Sequence, residues 1–340
     1  MPQKSLTLVV PSYNVENYIR RCLDTLVQGG DDVEIIVVND GSTDDTAKIA
    51  QEYVQKYPGI VSLHTKENGG HGSTINKGLE LATGEFFYVV DSDDWLDVKA
   101  LQKLLETMRK MKREKQSIDM FIVNYVYEHV EDNTHSTMHY HNVLPINKVF
   151  TWKDTKKFDL AKFILLHSTV QKTSILRQSG IVLPEHTFYV DNVMVYQPLP
   201  YFKTMYYLDI DLYRYFIGRI DQSVSHTSMI KRIDQYIRVG KIMISSHHLE
   251  TIEDPKLRKY MYNYLSIVLT IVNTFLTLSK KEENNMKKEE LWKYLKEYDK
   301  AMYKRIRINP LYAASQLNGK AGRLIIRSGY KVGRKIFKYN

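Results

Sequence analysis

Short apolar runs alternate with segments of helical spacing over the first hundred residues. Residues 6–10 (LTLVV) form an apolar run closed by Pro11, the pattern of a buried strand. Residues 33–38, 61–64 and 85–90 repeat that pattern with β-branched and aromatic residues. Between them, Val15, Ile19, Cys22, Leu23 and Leu26 fall on one face of a helix over 15–27. A second helix is expected over 42–57, with Ser42 or Thr43 as its cap, and a third over 74–82, entered through Asn68-Gly69-Gly70-His71-Gly72. This βαβαβαβ order predicts a mainly parallel, helix-covered sheet. Such sheets bind ligands beyond the carboxyl ends of their strands. The polar clusters fall there: Pro11-Ser12-Tyr13-Asn14, Asn39-Asp40-Gly41-Ser42 and Asp91-Ser92-Asp93-Asp94.

Further along, the spacing predicts a basic helix over 100–115 and strands over 118–129 and 137–144. Residues 189–216 are rich in tyrosine and end in strand-like segments, and from about residue 229 the pattern is helical. Residues 261–279 carry no charge for 19 positions, a length that touches the transmembrane range. Asn263, Ser266, Thr270, Asn273, Thr274 and Thr277 interrupt that stretch, so it reads as a buried core helix.

Composition narrows the class. The 340 residues are 43% hydrophobic and 26% charged, values of a globular chain that exclude wholesale disorder and a collagen-like fibre. A single cysteine, Cys22, excludes an internal disulfide and a cysteine-rich zinc site, and fits a reducing cytoplasm. The apolar run at the N-terminus is too short for a secretory signal. The net charge is +9, and its placement matters more than its size. Asp299 is the last acidic residue, and eleven basic residues follow it, leaving the body near neutral. On a helical wheel, residues 322–340 separate Arg323, Arg327, Lys331, Arg334, Lys335 and Lys338 from Ile325, Ile326, Tyr330, Val332, Ile336 and Phe337. This amphipathic pattern fits a membrane surface, an anionic glycopolymer or the chain's own helical region. No motif that reads nucleic acid accompanies it, so no nucleic-acid partner is expected.

The motifs VVPSYN, VVNDGSTDDT, NGGHGSTINKGLELATG and VVDSDDWLD, taken together, resemble family 2 glycosyltransferases of the GT-A fold. The match is close over residues 5–98 and looser to about 225. The resemblance implies an α/β nucleotide-diphospho-sugar transferase fold, a Rossmann-like mixed sheet with a C-terminal helical region. The expected organisation is a catalytic domain over 1–225, a helical domain over 226–300 and a basic tail over 301–340. The catalytic domain divides into a nucleotide-binding half (1–98) and an acceptor half with a lid (99–225).

The resemblance also assigns residues. Asp91 and Asp93 match the DxD motif, which holds Mn2+ or Mg2+ against the diphosphate, with Asp93 as the principal ligand and Asp94 as a further acid. Pro11, Tyr13 and Asp40 match positions that hold the base. An Asp40 carboxylate can accept from an imide N–H, which favours UDP over CDP and leaves TDP open; its structural alternative is a cap for the second helix. His71 and Asn76 belong to the glycine-rich loop, whose backbone N–H groups suggest a phosphate cradle. Ile75 departs from the arginine that many relatives carry there. Asp191 is the expected base, with Glu185 as runner-up; Arg219 and Ser223 are expected in a lid over the diphosphate. The implied function is an inverting, metal-dependent transfer of a sugar from a UDP-sugar to a hydroxyl of a cell-surface glycan precursor, lipid-linked, at the inner face of the cell membrane. The alternatives are decoration of an anionic wall polymer such as teichoic acid, and a non-catalytic nucleotide- or glycan-binding protein.

Overall fold

The computed structural model describes residues 3–129, 133–159, 162–217, 226–279 and 281–315. Two compact units divide the chain. The first takes residues 1–157, 164–186 and 190–217; the second takes 158–163, 187–189 and 218–340.

The first unit is built on a mixed sheet of ten strands. In chain order its elements are β1 (Leu6–Ser12), α1 (Ile19–Leu26), β2 (Val33–Asn39), α2 (Thr46–Lys56), β3 (Val61–Thr65), α3 (His71–Leu81), β4 (Phe86–Val89), β5 (Trp95–Leu96) and α4 (Val98–Arg113). After these come β6 (Met120–His129), β7 (Thr134–Met138), β8 (Val149–Phe150), β9 (Thr169–Lys172), α5 (Thr173–Gln178), α6 (Asp191–Tyr196) and β10 (Met205–Ile217). The strand order is β3-β2-β1-β4-β9-β6-β10-β5, with β7 on β6 and β8 on β10. β1 pairs in parallel with both β2 and β4. β9 is antiparallel to β4 and to β6, while β6 and β10 are parallel.

All seven residues of β1 are buried, because helices cover both faces of a parallel sheet. Pro11 is tolerated in this central strand. Its missing N–H would face β4, and the ladder to β4 ends before it, at Val9↔Val89. α1 buries Ile19, Cys22, Leu23 and Leu26, the face its spacing predicts. α4 buries Leu101, Leu104, Leu105, Met108 and Met111, and Asp97 caps it by accepting from the Ala100 N–H at 3.0 Å.

Three boundaries differ from the sequence pattern. α2 begins at Thr46 rather than at 42, because Asn39 Oδ1 holds the Ser42 N–H in a turn and Asp44 Oδ1 takes the Thr46 N–H. α3 begins at His71, three residues early: Gly70, at φ 82, supplies the left-handed turn that starts it. The strand expected over 137–144 ends at Met138. Tyr140 O accepts from the N–H groups of Val143 and Leu144, which closes a turn instead.

The second unit is helical: α7 (His226–Lys231), α8 (Ile233–Ser246), α9 (Pro255–Leu278), α10 (Glu282–Tyr298), α11 (Lys300–Arg307) and α12 (Pro310–Ser315). α9 holds the apolar stretch and is the one described helix long and apolar enough to cross a membrane; 67% of that window is buried, as a core helix requires. Asp254 caps it, and Pro255 occupies its first turn. Met302, Ile306 and Tyr312 are buried, and Trp292 packs on Tyr312 at 4.0 Å between ring centroids. The helical unit therefore continues past residue 300. The amphipathic stretch 322–340 lies outside the described residues.

Gly78 sets how closely α3 approaches the sheet. A Cβ there would stand 2.4 Å from Val9 Cγ1 and 2.6 Å from Cγ2, on the central strand. Gly78→Ala should destabilise the protein by about 1–2 kcal/mol, overpacking outweighing the better helix propensity of alanine. Urea denaturation checks this, and a gain in stability would mean that α3 can retreat from β1.

Candidate active site

The three polar clusters meet at the carboxyl ends of β1, β2 and β4, where the strand order reverses. The turn after β4 carries the acids. Asp94 is fully buried, and its Oδ2 accepts from the Tyr213 hydroxyl at 2.7 Å. Its Oδ1 accepts from the Phe216 N–H at 2.8 Å. The Tyr213 oxygen in turn accepts from the Asp91 N–H at 3.1 Å. The turn is thereby tied to β10. From the other side, Arg21 donates to the Asp93 carbonyl at 2.9 Å and lays its guanidinium over the Trp95 ring at 3.8 Å. Asp94 is thus an anchor, with both carboxylate oxygens already engaged. Asp91 and Asp93 are left only partly buried.

The glycine loop faces this turn. The Asp40 carboxylate is 2% exposed and takes three donors: the Gly69 and Gly70 N–H groups at 2.9 and 2.7 Å, and Lys66 Nζ at 2.9 Å. Asp40 therefore does not cap the second helix; it holds the loop that starts α3. The Gly69 and Gly70 amides, expected to cradle phosphate, are engaged by this carboxylate. Asn76 bonds the Leu183 backbone with both ends of its amide, at 2.8 and 2.9 Å. Gly72 lets this segment approach: a Cβ there would meet the Pro184 carbonyl oxygen at 2.7 Å. These contacts fix the chain that leads to Asp191.

Asp191 opens α6, and its Oδ1 has no hydrogen-bond partner among the described residues. His71 Nε2 lies 3.4 Å from Asp191 Oδ1 and 3.7 Å from Asp91 Oδ1. Burial opposes charge on His71, but Asp191, Asp91 and Asp93 outweigh it and raise the imidazole to about 9. The same contact holds Asp191 below the usual carboxylate range, against the opposing effect of burial. Burial raises Asp91. Burial and the repulsion of Asp93 and Asp91 raise Asp94 well above the ordinary value. The cleft is thus anionic, with one imidazolium between two acids.

This donor set fits a hard divalent cation. Asp91 Oδ1 is buried without a hydrogen-bond partner, and Asp91, Asp94 and His167 bring ligand atoms within 4.8 Å of one another. Of these, Asp91 has the open oxygen, and Asp93 is its neighbour in the turn. The sequence pattern did not single out His167, whose ring packs on Tyr213 at 4.5 Å and Tyr215 at 5.0 Å. Tyr213 and Lys66 were also missed as positioning residues; the tyrosines at 213 and 215 were the only trace of the first, and Lys66 left none.

Pro11 is buried at the end of β1, and the Tyr13 ring beyond it is 51% exposed, open to a flat ligand. Glu185 is exposed. Arg219 and Ser223 lie outside the described residues.

A sheet of this order, with a DxD turn at its switch point and helices after it, has the architecture of a GT-A nucleotide-sugar transferase. The family model for glycosyl transferase family 2 matches residues 7–179, and the chain belongs to that family. EpsH of Bacillus subtilis is 40% identical over 129 residues, covering 38% of this chain and 36% of that protein. The poly(ribitol-phosphate) beta-glucosyltransferase of Bacillus spizizenii is 40% identical over 100 residues, 28% of this chain and 16% of that protein. The chain thus matches little more than a third of these relatives' lengths at most. Residues 1–349 of S. aureus TarS, solved with UDP-GlcNAc, share the fold with a TM-score of 0.68 at 18% identity, covering 97% of this chain and 92% of that one.

Tyr213→Phe removes a donor from buried Asp94 and an acceptor from the Asp91 N–H. We expect a loss of about 1–3 kcal/mol in unfolding free energy. No change on denaturation would mean that the Phe216 N–H alone holds the turn.

Proposed function

We propose that the protein is an inverting glycosyltransferase that moves a sugar from a UDP-sugar to a hydroxyl of a phosphate-containing wall polymer of the teichoic-acid type. The observation that carries the catalytic reading is the placement of Asp191: held below the usual carboxylate range, with its Oδ1 3.4 Å from the His71 imidazole, which in turn lies 3.7 Å from Asp91 of the DxD turn. The donor reading is supported by the TarS fold, solved with UDP-GlcNAc, and by the exposed Tyr13 ring. The polymer acceptor is favoured over a lipid-linked precursor by the likeness to the poly(ribitol-phosphate) glucosyltransferase and by the basic tail, which suits a polyanion. A cytoplasmic setting belongs to the same reading.

Asp91 and Asp93 would hold Mn2+ or Mg2+, which supplies Lewis-acid neutralisation of the diphosphate leaving group. Asp94, Tyr213 and Phe216 keep those acids aimed at the diphosphate. Asp191 takes the proton of the acceptor hydroxyl as it attacks the anomeric carbon through an oxocarbenium-like transition state. Its lowered proton affinity keeps it ionised and ready at neutral pH. His71 balances the charge of Asp191 and Asp91 until substrates arrive. Tyr13 and Pro11 would flank the base, with Asp40 and Asn76 fixing the loop and the segment around it. Arg219 and Ser223 remain our candidates for closing over the diphosphate.

A defined poly(ribitol phosphate) acceptor and UDP-sugars test the reading. Asp191→Asn should lower kcat by roughly 10²–10⁴-fold with little change in donor affinity. NMR of the product should show the anomeric configuration inverted. Retention of configuration, or full activity in Asp191→Asn, would overturn the assignment; transfer to lipid-linked saccharide alone would overturn the acceptor.

A further inference from the structure

We propose that His139, His141 and Asp209 form a second cation site of zinc type in the first unit, clipping the turn after β7 to a bulge in β10. Their ligand atoms all lie within 4.8 Å of one another. His139 Nδ1 is 3.7 Å from Asp209 Oδ1, and the two imidazole rings are 5.0 Å apart between centroids. A tetrahedral zinc bonded at its usual distances needs ligand atoms about 3.3–3.5 Å apart. Small rotations of two exposed histidines close that gap.

The backbone explains why these three residues converge. Between them, Tyr140 is buried, donates its N–H to the Tyr207 hydroxyl at 3.1 Å and sets its own hydroxyl 3.0 Å from Ser168 Oγ. Its two neighbours are exposed. On β10 the register runs from Tyr207↔Ile122 to Asp211↔Asn124, so residues 208–210 stand opposite Val123 alone. Asp209 sits in the middle of that bulge, a device that re-aims side chains.

The carboxylate is also held in advance. Asp209 Oδ1 lies 2.7 Å from Asn124 Nδ2, which donates to it, and 2.7 Å from the Tyr207 hydroxyl. Asn124 is 1% exposed and Tyr207 fully buried. None of the described residues donates to Oδ2. A buried outer shell that orients an exposed carboxylate toward two imidazoles is the arrangement found behind metal ligands. A plain exposed His–Asp ion pair is worth little and needs no such support. Two imidazoles with one carboxylate select zinc-like ions, whereas the all-oxygen acids of the cleft suit magnesium or manganese. The two sites should therefore answer to different metals.

The full chain, stripped with EDTA, is titrated calorimetrically with Zn2+ and separately with Co2+, whose visible spectrum reports tetrahedral nitrogen and oxygen ligation. Wild type should bind one more equivalent of Zn2+ than the His139→Ala/His141→Ala variant and show a tetrahedral cobalt band that the variant lacks. Asp209→Asn, a smaller change that serves if the double variant fails to fold, should likewise lose the band. Tyr207→Phe keeps all three ligands but loosens Asp209, and should weaken zinc roughly 10–100-fold. Equal zinc stoichiometry and affinity in wild type and a folded ligand variant would overturn the site, as would a wild type without a cobalt band.

Discussion

A buried carboxylate organises the site. Asp94 lies beneath the cleft with no exposed surface, bonded to the Tyr213 hydroxyl and the Phe216 N–H. Burying a carboxylate in a protein interior is costly unless its oxygens are satisfied. Here both partners come from β10, the strand that runs through the outer half of the sheet, while the acid follows β4 near its middle. The bond therefore joins the two halves of the sheet at the point where the chemistry sits.

The anchoring concentrates negative charge. Burial raises the proton affinities of Asp91 and Asp94, and the repulsion among the aspartates of one short turn adds to it. His71 answers part of that charge and does so from the first turn of α3. Its position depends on a chain of contacts: Lys66 and the glycine amides fix Asp40, Gly70 turns the backbone, and α3 begins early enough to include His71. The Asn76–Leu183 bonds then bring the segment before α6 alongside. Gly69 and Gly70 thus give their amides to Asp40 rather than to a ligand, and Gly72 serves close approach to Pro184.

Much of this was legible before any coordinates. A strand buried on both faces is a continuous apolar run, so β1, β2 and β4 stand out, and α1 follows its apolar spacing residue by residue. The polar clusters at strand ends marked the cleft. What was hidden is long-range. β9 is four residues long and pairs antiparallel between β4 and β6, an insertion that no local periodicity records. The meeting of His71 with Asp191 joins positions 120 apart in the chain, and Asp94 with Tyr213 joins positions 119 apart. Element boundaries failed where side chains compete with the helix: Asp44 and Asn39 delay α2, and Gly70 advances α3.

The central claim is that the turn aimed by Asp94 presents Asp91 and Asp93 to a metal-bound nucleoside diphosphate. The most direct test is calorimetric titration of the full chain with UDP, TDP, GDP and CDP, with and without manganese, in wild type and in Asp93→Ala. The account predicts manganese-dependent binding of UDP that Asp93→Ala abolishes. UDP binding of equal strength with and without manganese, and unchanged in Asp93→Ala, would contradict it.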